Sequence, residues 1–149
     1  MGVEQRLQEL GIELPAPIKP VANYVRYVQT GNLLFISGTG PTGSSPKGKV
    51  AADVTVDEAY AAAREVGLQI LATAKDALGD LDRITRVVKL LGMVNSSPDF
   101  DGQPQVINGC SDLLVEVLGD AGRHTRSAVG MGALPHRIPV EIECIFEVR

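Results

Sequence analysis

The sequence predicts an α+β chain with two main helices packed on one face of a mixed sheet, and three observations carry that expectation. Apolar residues recur at helical spacing over two long stretches, after Thr55 and after Pro104. Segments of alternating apolar and polar residues stand before and after those stretches. Between them, residues 83–96 are apolar on both parities, the pattern of a central strand covered on both sides and reached by a crossover.

The elements follow in order. Val3, Leu7 and Leu10 repeat at i, i+4 and i+7 before Gly11, marking a short amphipathic helix, and the prolines of ELPAPIKPV then enforce an extended lead-in. Residues 23–30 and 33–37 flank Gly31-Asn32, a pair suited to a primed hairpin turn. A Gly/Ser/Pro-rich loop covers 38–49, and VAAD offers a brief third strand. Thr55 and Glu58 form a capping box, and Val66, Ile70, Ala74 and Leu78 share one face of a helix closed by Gly79. The second helix starts near Pro104 and turns Val106, Cys110, Leu113, Leu114 and Val117 inward before Gly119. TRSAVGM and VEIECIFEV then read as a terminal hairpin.

At 149 residues the chain reads as one domain over 1–149, with residues 1–20 as N-terminal helix and lead-in. That length is enough to bury roughly 70% of the unfolded surface. A net charge of -4, six aromatics and no Trp argue against a nucleic-acid partner. No apolar run is long enough for a membrane, and the acidic start does not read as a signal peptide, so a cytoplasmic location is expected. Cys110 and Cys144 stand 34 positions apart without a C-x-x-C pattern and are expected to be reduced and buried.

Several motifs carry no chemistry. Gly38, Gly40 and Gly43 spell G-x-G-x-x-G, but Pro41 and Pro46 intervene where a helix would have to start. Gly43, Gly48 and Lys49 outline a phosphate loop, but Val50 stands where Ser or Thr would hold magnesium. His124 and His136 lack partners at metal-ligand spacing and read as surface residues, and no metal is expected. Cys144 shares the parity of Val140, Ile142, Phe146 and Val148, which makes it a core cysteine.

Arg126 is different. In a terminal hairpin, Ser127, Val129 and Met131 face the helices, while Arg126, Ala128, Gly130 and Gly132 share the outer face with Glu141 and Glu143. Such a trough is either a solvated face with cross-strand ion pairs or a floor of small residues approached by a ligand or another subunit. Arginine suits a carboxylate, and a nearby glutamate can orient water.

TRSAVGMGALP followed by VEIECI, its first glutamate fifteen residues after the arginine, resembles the C-terminal signature of the reactive intermediate deaminase (Rid, or YjgF) family. Tyr24, TGNLLFISG, VNSSPDF and VINGCSDLL fall in that family's order. The resemblance implies a chorismate-mutase-like fold, a homotrimer with intersubunit sites, no cofactor, and hydrolysis of reactive imines or enamines to 2-keto acids and ammonia. It implies that Arg126 clamps a small carboxylate substrate, that Glu141 positions water, that Tyr24 and Asn108 line the cleft, and that Gly38 offers backbone contacts. Val25, Arg26, Thr39 and Ala128, the last a substrate-binding candidate, depart from the common family residues and mark a divergent branch, as do DGQPQ and the N-terminal helix. Two alternatives stand beside the deaminase: a non-catalytic carboxylate-binding trimer acting as sensor or chaperone, and, more weakly, an endoribonuclease or translation inhibitor.

Overall fold

Three helices and five strands follow from these patterns in the computed structural model, which describes residues 2–149; Met1, part of the expected domain, lies outside them. The helix α1 (Val3–Glu9) buries Val3 and Leu7, and Gly11 ends it in the left-handed region at φ +66°. Strand β1 (Tyr27–Thr30) is shorter than the expected 23–30, because residues 22–24 form a bend. It turns at Gly31 (φ +58°) into β2 (Leu33–Thr39), with Thr30 opposite Leu33. The VAAD strand does not form: Val50 makes only isolated bridges to Val54 and Ser96.

Helix α2 (Val56–Leu78) carries the expected capping box, with Thr55 Oγ1 accepting from the Glu58 amide and Glu58 accepting from the Thr55 amide. Strand β3 (Ile84–Asn95) follows, then α3 (Gln103–Leu118), β4 (Thr125–Met131) and β5 (Val140–Val148). Both long helices cover one sheet face, over a core that includes Leu34, Ile70, Leu90, Leu113, Ile142 and Phe146. The helices approach closely at Gly109, where an added Cβ would lie 2.1 Å from the Tyr60 carbonyl oxygen.

The sheet order is β1-β2-β5-β3-β4, and this corrects the terminal hairpin. β4 runs parallel to β3 at the sheet edge, and β5 runs antiparallel between β3 and β2. Sequence neighbours pair in only about two-thirds of cases, and here residues 132–139 carry the chain across the end of β3. Asn95 fastens that crossing: its amide N–H donates to the Pro139 carbonyl (2.9 Å) and its side chain to Ile138 (3.3 Å). Lys49 Nζ bridges Asn95 Oδ1 (3.0 Å) and the Gly132 carbonyl (2.6 Å).

β3 is also not covered on both sides within one chain. The second face carries Val28, Phe35 and Val129 exposed, with Leu91, Met93 and Ile145 half-buried. Apolar residues on both parities therefore record two kinds of cover, helices on one face and none from this chain on the other. Among the described residues no helix is long and apolar enough to cross a membrane.

Candidate functional site

Register decides which residues meet. Leu90 of β3 pairs with both Arg126 and Cys144, and Gly92 with both Ala128 and Ile142. Arg126, Ala128 and Gly130 therefore lie on the helix side of the sheet, and Ser127, Val129 and Met131 on the open side, the reverse of the hairpin expectation. Met93 pairs with Glu141, and Leu91 with Glu143, so both carboxylates stand on the open side. Arg126 and Glu141 do not share a trough within one chain. Each belongs to its own cluster.

The first cluster lies between the β4 edge and α3. Arg126 Nη1 donates to Asn108 Oδ1 (2.8 Å) and to Ser111 Oγ (3.0 Å), and Nη2 donates to the Pro104 carbonyl (3.4 Å). All three acceptors are neutral, and among the described residues no carboxylate comes within 4.0 Å of Arg126. Among the described residues the Nε–H and one Nη2–H have no acceptor, and the Nε–Nη2 edge of a guanidinium is one that a carboxylate bridges with two parallel hydrogen bonds. Behind Ser111 stands His124, half-buried and not a free surface histidine: Nε2 lies 2.9 Å from Ser111 Oγ and Nδ1 2.6 Å from the Gly122 carbonyl. What crowds Gly130 is its own chain, since an added Cβ would meet Gln103 Nε2 and Ser96 Oγ at 3.0 Å. At Gly132 no atom of the described residues comes within 4 Å of an added Cβ, so that position is open to solvent within one chain.

The second cluster forms where β2 meets β5. An added Cβ at Gly38 would lie 2.5 Å from Glu141 Oε2, so only glycine lets this carboxylate rest on the β2 backbone. At the same residue, Arg26 Nη1 donates to the Gly38 carbonyl (3.1 Å) and Nη2 to Thr39 Oγ1 (2.8 Å), with Tyr24 Oη 3.5 Å from Nη1. Arg26 is 7% exposed, has no ion-pair partner among the described residues, and keeps an unpartnered Nε. Burial raises the Glu141 pKa above the ordinary carboxylate value, the Glu143 charge raises it further, and Arg26 pulls it back. Tyr24, 45% exposed, closes the cluster toward solvent.

The sequence thus named Arg126, Asn108 and Ala128 in one cluster and Tyr24, Gly38 and Glu141 in the other; strand parity joined Arg126 to Glu141 within one chain, which the register overturns, whereas the family resemblance implied a site between subunits. Sequence reasoning missed Ser111 and His124 as site residues and treated Arg26 only as a departure. Parity alone places His124 with Arg126, and Ser111 is one helical turn from Asn108 on α3. The two cysteines are free and buried, and burial pushes the Cys110 thiol up to about 12 and Cys144 well above its usual value, which fits inert core residues. Among the described residues no group of three or more His, Cys, Asp or Glu gathers as metal ligands would.

Comparisons with known proteins agree with this architecture. Residues 4–145 match a family described as "YjgF/chorismate_mutase-like, putative endoribonuclease". Protein TCP17 of Trypanosoma cruzi is 47% identical over 150 residues, covering 98% of this chain and 94% of that protein. The crystal structure of Atu1372 from Agrobacterium tumefaciens, of unknown function, superposes with a TM-score of 0.90 at 48% identity, covering 99% of this chain and 92% of that one. E. coli TdcF with bound serine superposes at only 0.62 and 25% identity, over 90% and 93% of the two chains. That gap between 0.90 and 0.62 fits a divergent branch, with the fold and its α+β sheet in common. The chain belongs to the YjgF/chorismate-mutase-like family.

Proposed function

We propose that this protein hydrolyses reactive 2-imino and 2-enamino acids to 2-keto acids and ammonia, in clefts between the copies of a homotrimer. The observation that carries the reading is the free edge of the Arg126 guanidinium, held in place by neutral acceptors and left without a carboxylate of its own. TdcF, a 25% identical relative, is described with bound serine, a small molecule that carries such a carboxylate. The open apolar face around Phe35, Leu91 and Ile145 supports assembly, and assembly is what allows one copy's Arg126 cluster to meet another's Glu141 cluster.

In this reading Arg126 and Asn108 hold the substrate carboxylate, with Ala128 as floor and Tyr24 and Gly38 as the opposite wall. Water adds to the carbon of the C=N bond while Glu141 accepts one of its protons and delivers it to nitrogen. The C–N bond of the resulting carbinolamine then breaks as Glu141 carries the hydroxyl proton to nitrogen, which leaves as ammonia while the ketone forms. Imine and water give ketone and ammonia, so the balance requires no cofactor. A carboxylate whose pKa is raised by burial suits this give and take of protons. The free thiols support a reducing, cytoplasmic setting, and the charge of -4 supports a small-molecule partner over nucleic acid or the ribonuclease reading.

Imines generated in place by an amino-acid oxidase and competed with semicarbazide test the reading. Wild type diverts them to keto acid and Arg126→Ala does not, with the urea melt unchanged; equal diversion by both proteins would remove its basis. The second reading, a carboxylate-binding trimer without turnover, is favoured by buried Arg26, which bonds the Gly38 carbonyl and whose charge acts on Glu141. Saturable binding of 2-keto acids with no diversion of any imine would select it.

A further inference from the structure

Behind Arg126 the donors and acceptors admit one arrangement when His124 is neutral. The Gly122 carbonyl can only accept, so Nδ1 carries the proton across that 2.6 Å contact. Nε2 then presents a lone pair, and the Ser111 hydroxyl donates to it across 2.9 Å. Ser111 Oγ in turn accepts from Arg126 Nη1 at 3.0 Å, and the other Nη1 hydrogen goes to Asn108 Oδ1 at 2.8 Å. Both hydrogens of Nη1 are thereby fixed on α3, and the guanidinium is left with its Nε edge for a ligand.

We propose that Ser111 and His124 are positioning residues for Arg126, and that through them the capture of a carboxylate by the free guanidinium edge takes up a proton at His124. The proposal rests on reading Arg126 as the carboxylate clamp, and adds to it a pair of residues and a pH dependence. Protonated His124 turns Nε2 from acceptor to donor. Ser111 Oγ has two lone pairs and can accept from Nε2 and Nη1 together, but two cations then face each other across one oxygen. In the free protein that opposition is uncompensated. A bound carboxylate on the far edge of the guanidinium compensates it.

The charges around His124 agree in direction. Burial is the largest cause holding its pKa below the usual value, the Gly122 carbonyl raises it, and Arg126 lowers it again. A carboxylate on Arg126 offsets the last of these, so the imidazole binds its proton more readily in the complex. Other charges near in sequence point elsewhere. Arg123 and Asp120 pair with each other at 3.7 Å on the exposed surface, and Lys89, opposite Thr125 on β3, takes the open side of the sheet. From α3 the facing groups are Ser111 and Asn108, both neutral. By linkage, carboxylates bind more tightly as pH falls through the His124 range, about tenfold for each unit by which binding raises its pKa.

The chain has two histidines, so the ring protons of His124 can be assigned and followed in the intact protein. Pyruvate, which stays ionised over the range, is the probe, and calorimetry establishes its binding. The expected result is a rise in the His124 midpoint at saturating pyruvate, and binding that tightens as pH falls through the His124 range, with a limit of about tenfold for each unit of that rise. Ser111→Ala weakens binding and flattens its pH dependence, while Ser111→Thr, which keeps the hydroxyl, restores both. Pyruvate binding that leaves the His124 midpoint in place, with Ser111→Ala binding as wild type does, overturns the inference and leaves the clamp standing. If neither pyruvate nor any 2-keto acid with a larger side chain binds wild type, the clamp and the inference fall together.

Discussion

Gly38→Ala separates the position of Glu141 from the stability of the sheet. An added Cβ would lie 2.5 Å from Glu141 Oε2 and 3.2 Å from its carboxyl carbon, and ordinary contact begins at 3.4 Å. The oxygen must therefore retreat by about 0.9 Å, a misplacement of the size that costs reactions about a hundredfold. The clash is with the far end of a flexible side chain, and Gly38 is not among the glycines in the left-handed region, so alanine brings no backbone strain. Replacing a strand glycine even relieves a conformational-entropy cost of roughly 0.5–1 kcal/mol. The variant should thus unfold in urea within about 1 kcal/mol of wild type, still bind pyruvate through the untouched Arg126 although the Gly38 wall gains a methyl group, and divert imines about ten- to a hundredfold more slowly, the larger part of the loss lying in kcat. Full turnover in a correctly folded Gly38→Ala protein would show that the placement of Glu141 on the β2 backbone is irrelevant to the chemistry.

Two further outcomes follow from other contacts. Gly109→Ala sets a Cβ 2.1 Å from the Tyr60 carbonyl oxygen, backbone against backbone, whereas Gly67→Ala meets only the side chains of Leu113 (2.8 Å) and Cys110 (3.2 Å); against a helix-propensity gain of about 1 kcal/mol in each, the first should lose about 2 kcal/mol net and the second about 0 by urea unfolding, and equal stabilities would refute the close helix contact. Arg26→Gln removes the cation that pulls the Glu141 pKa down, so the raised pKa climbs further and the acidic limb of the rate profile moves to higher pH; an unmoved limb would show that Arg26 does not act on the carboxylate.

The helices were legible because their signals are local. The capping box at Thr55 and Glu58, the apolar face of Val66, Ile70 and Ala74, and the glycine stop at Gly79 lie within one continuous segment, and the structure repeats them. The β1-β2 turn at Gly31 was legible for the same reason. Strand order was not. Alternation in TRSAVGM assigns residues to two faces but does not say which face is the inner one, and the pairing that settles this, Leu90 with Arg126, joins positions 36 residues apart in sequence. The crossing of residues 132–139 over β3 depends on Asn95 and Lys49, neither of which has a local signature. The site shows the same division. Arg126 and Glu141 came from strand parity and family likeness together and Asn108 and Tyr24 from family likeness alone, but Ser111 and His124 are defined only by the approach of α3 to the start of β4, and Arg26 only by its burial against Gly38.

The opposite facing of Arg126 and Glu141 has a genetic consequence. In the proposed ring each cleft draws one residue from each of two copies, so a chain lacking Arg126 still carries a sound Glu141 half, and a chain lacking Glu141 a sound Arg126 half. A cell holding both defective alleles in equal dose would assemble about a quarter of its clefts whole, by random mixing around a closed ring. Each allele would be null alone, and the pair would complement.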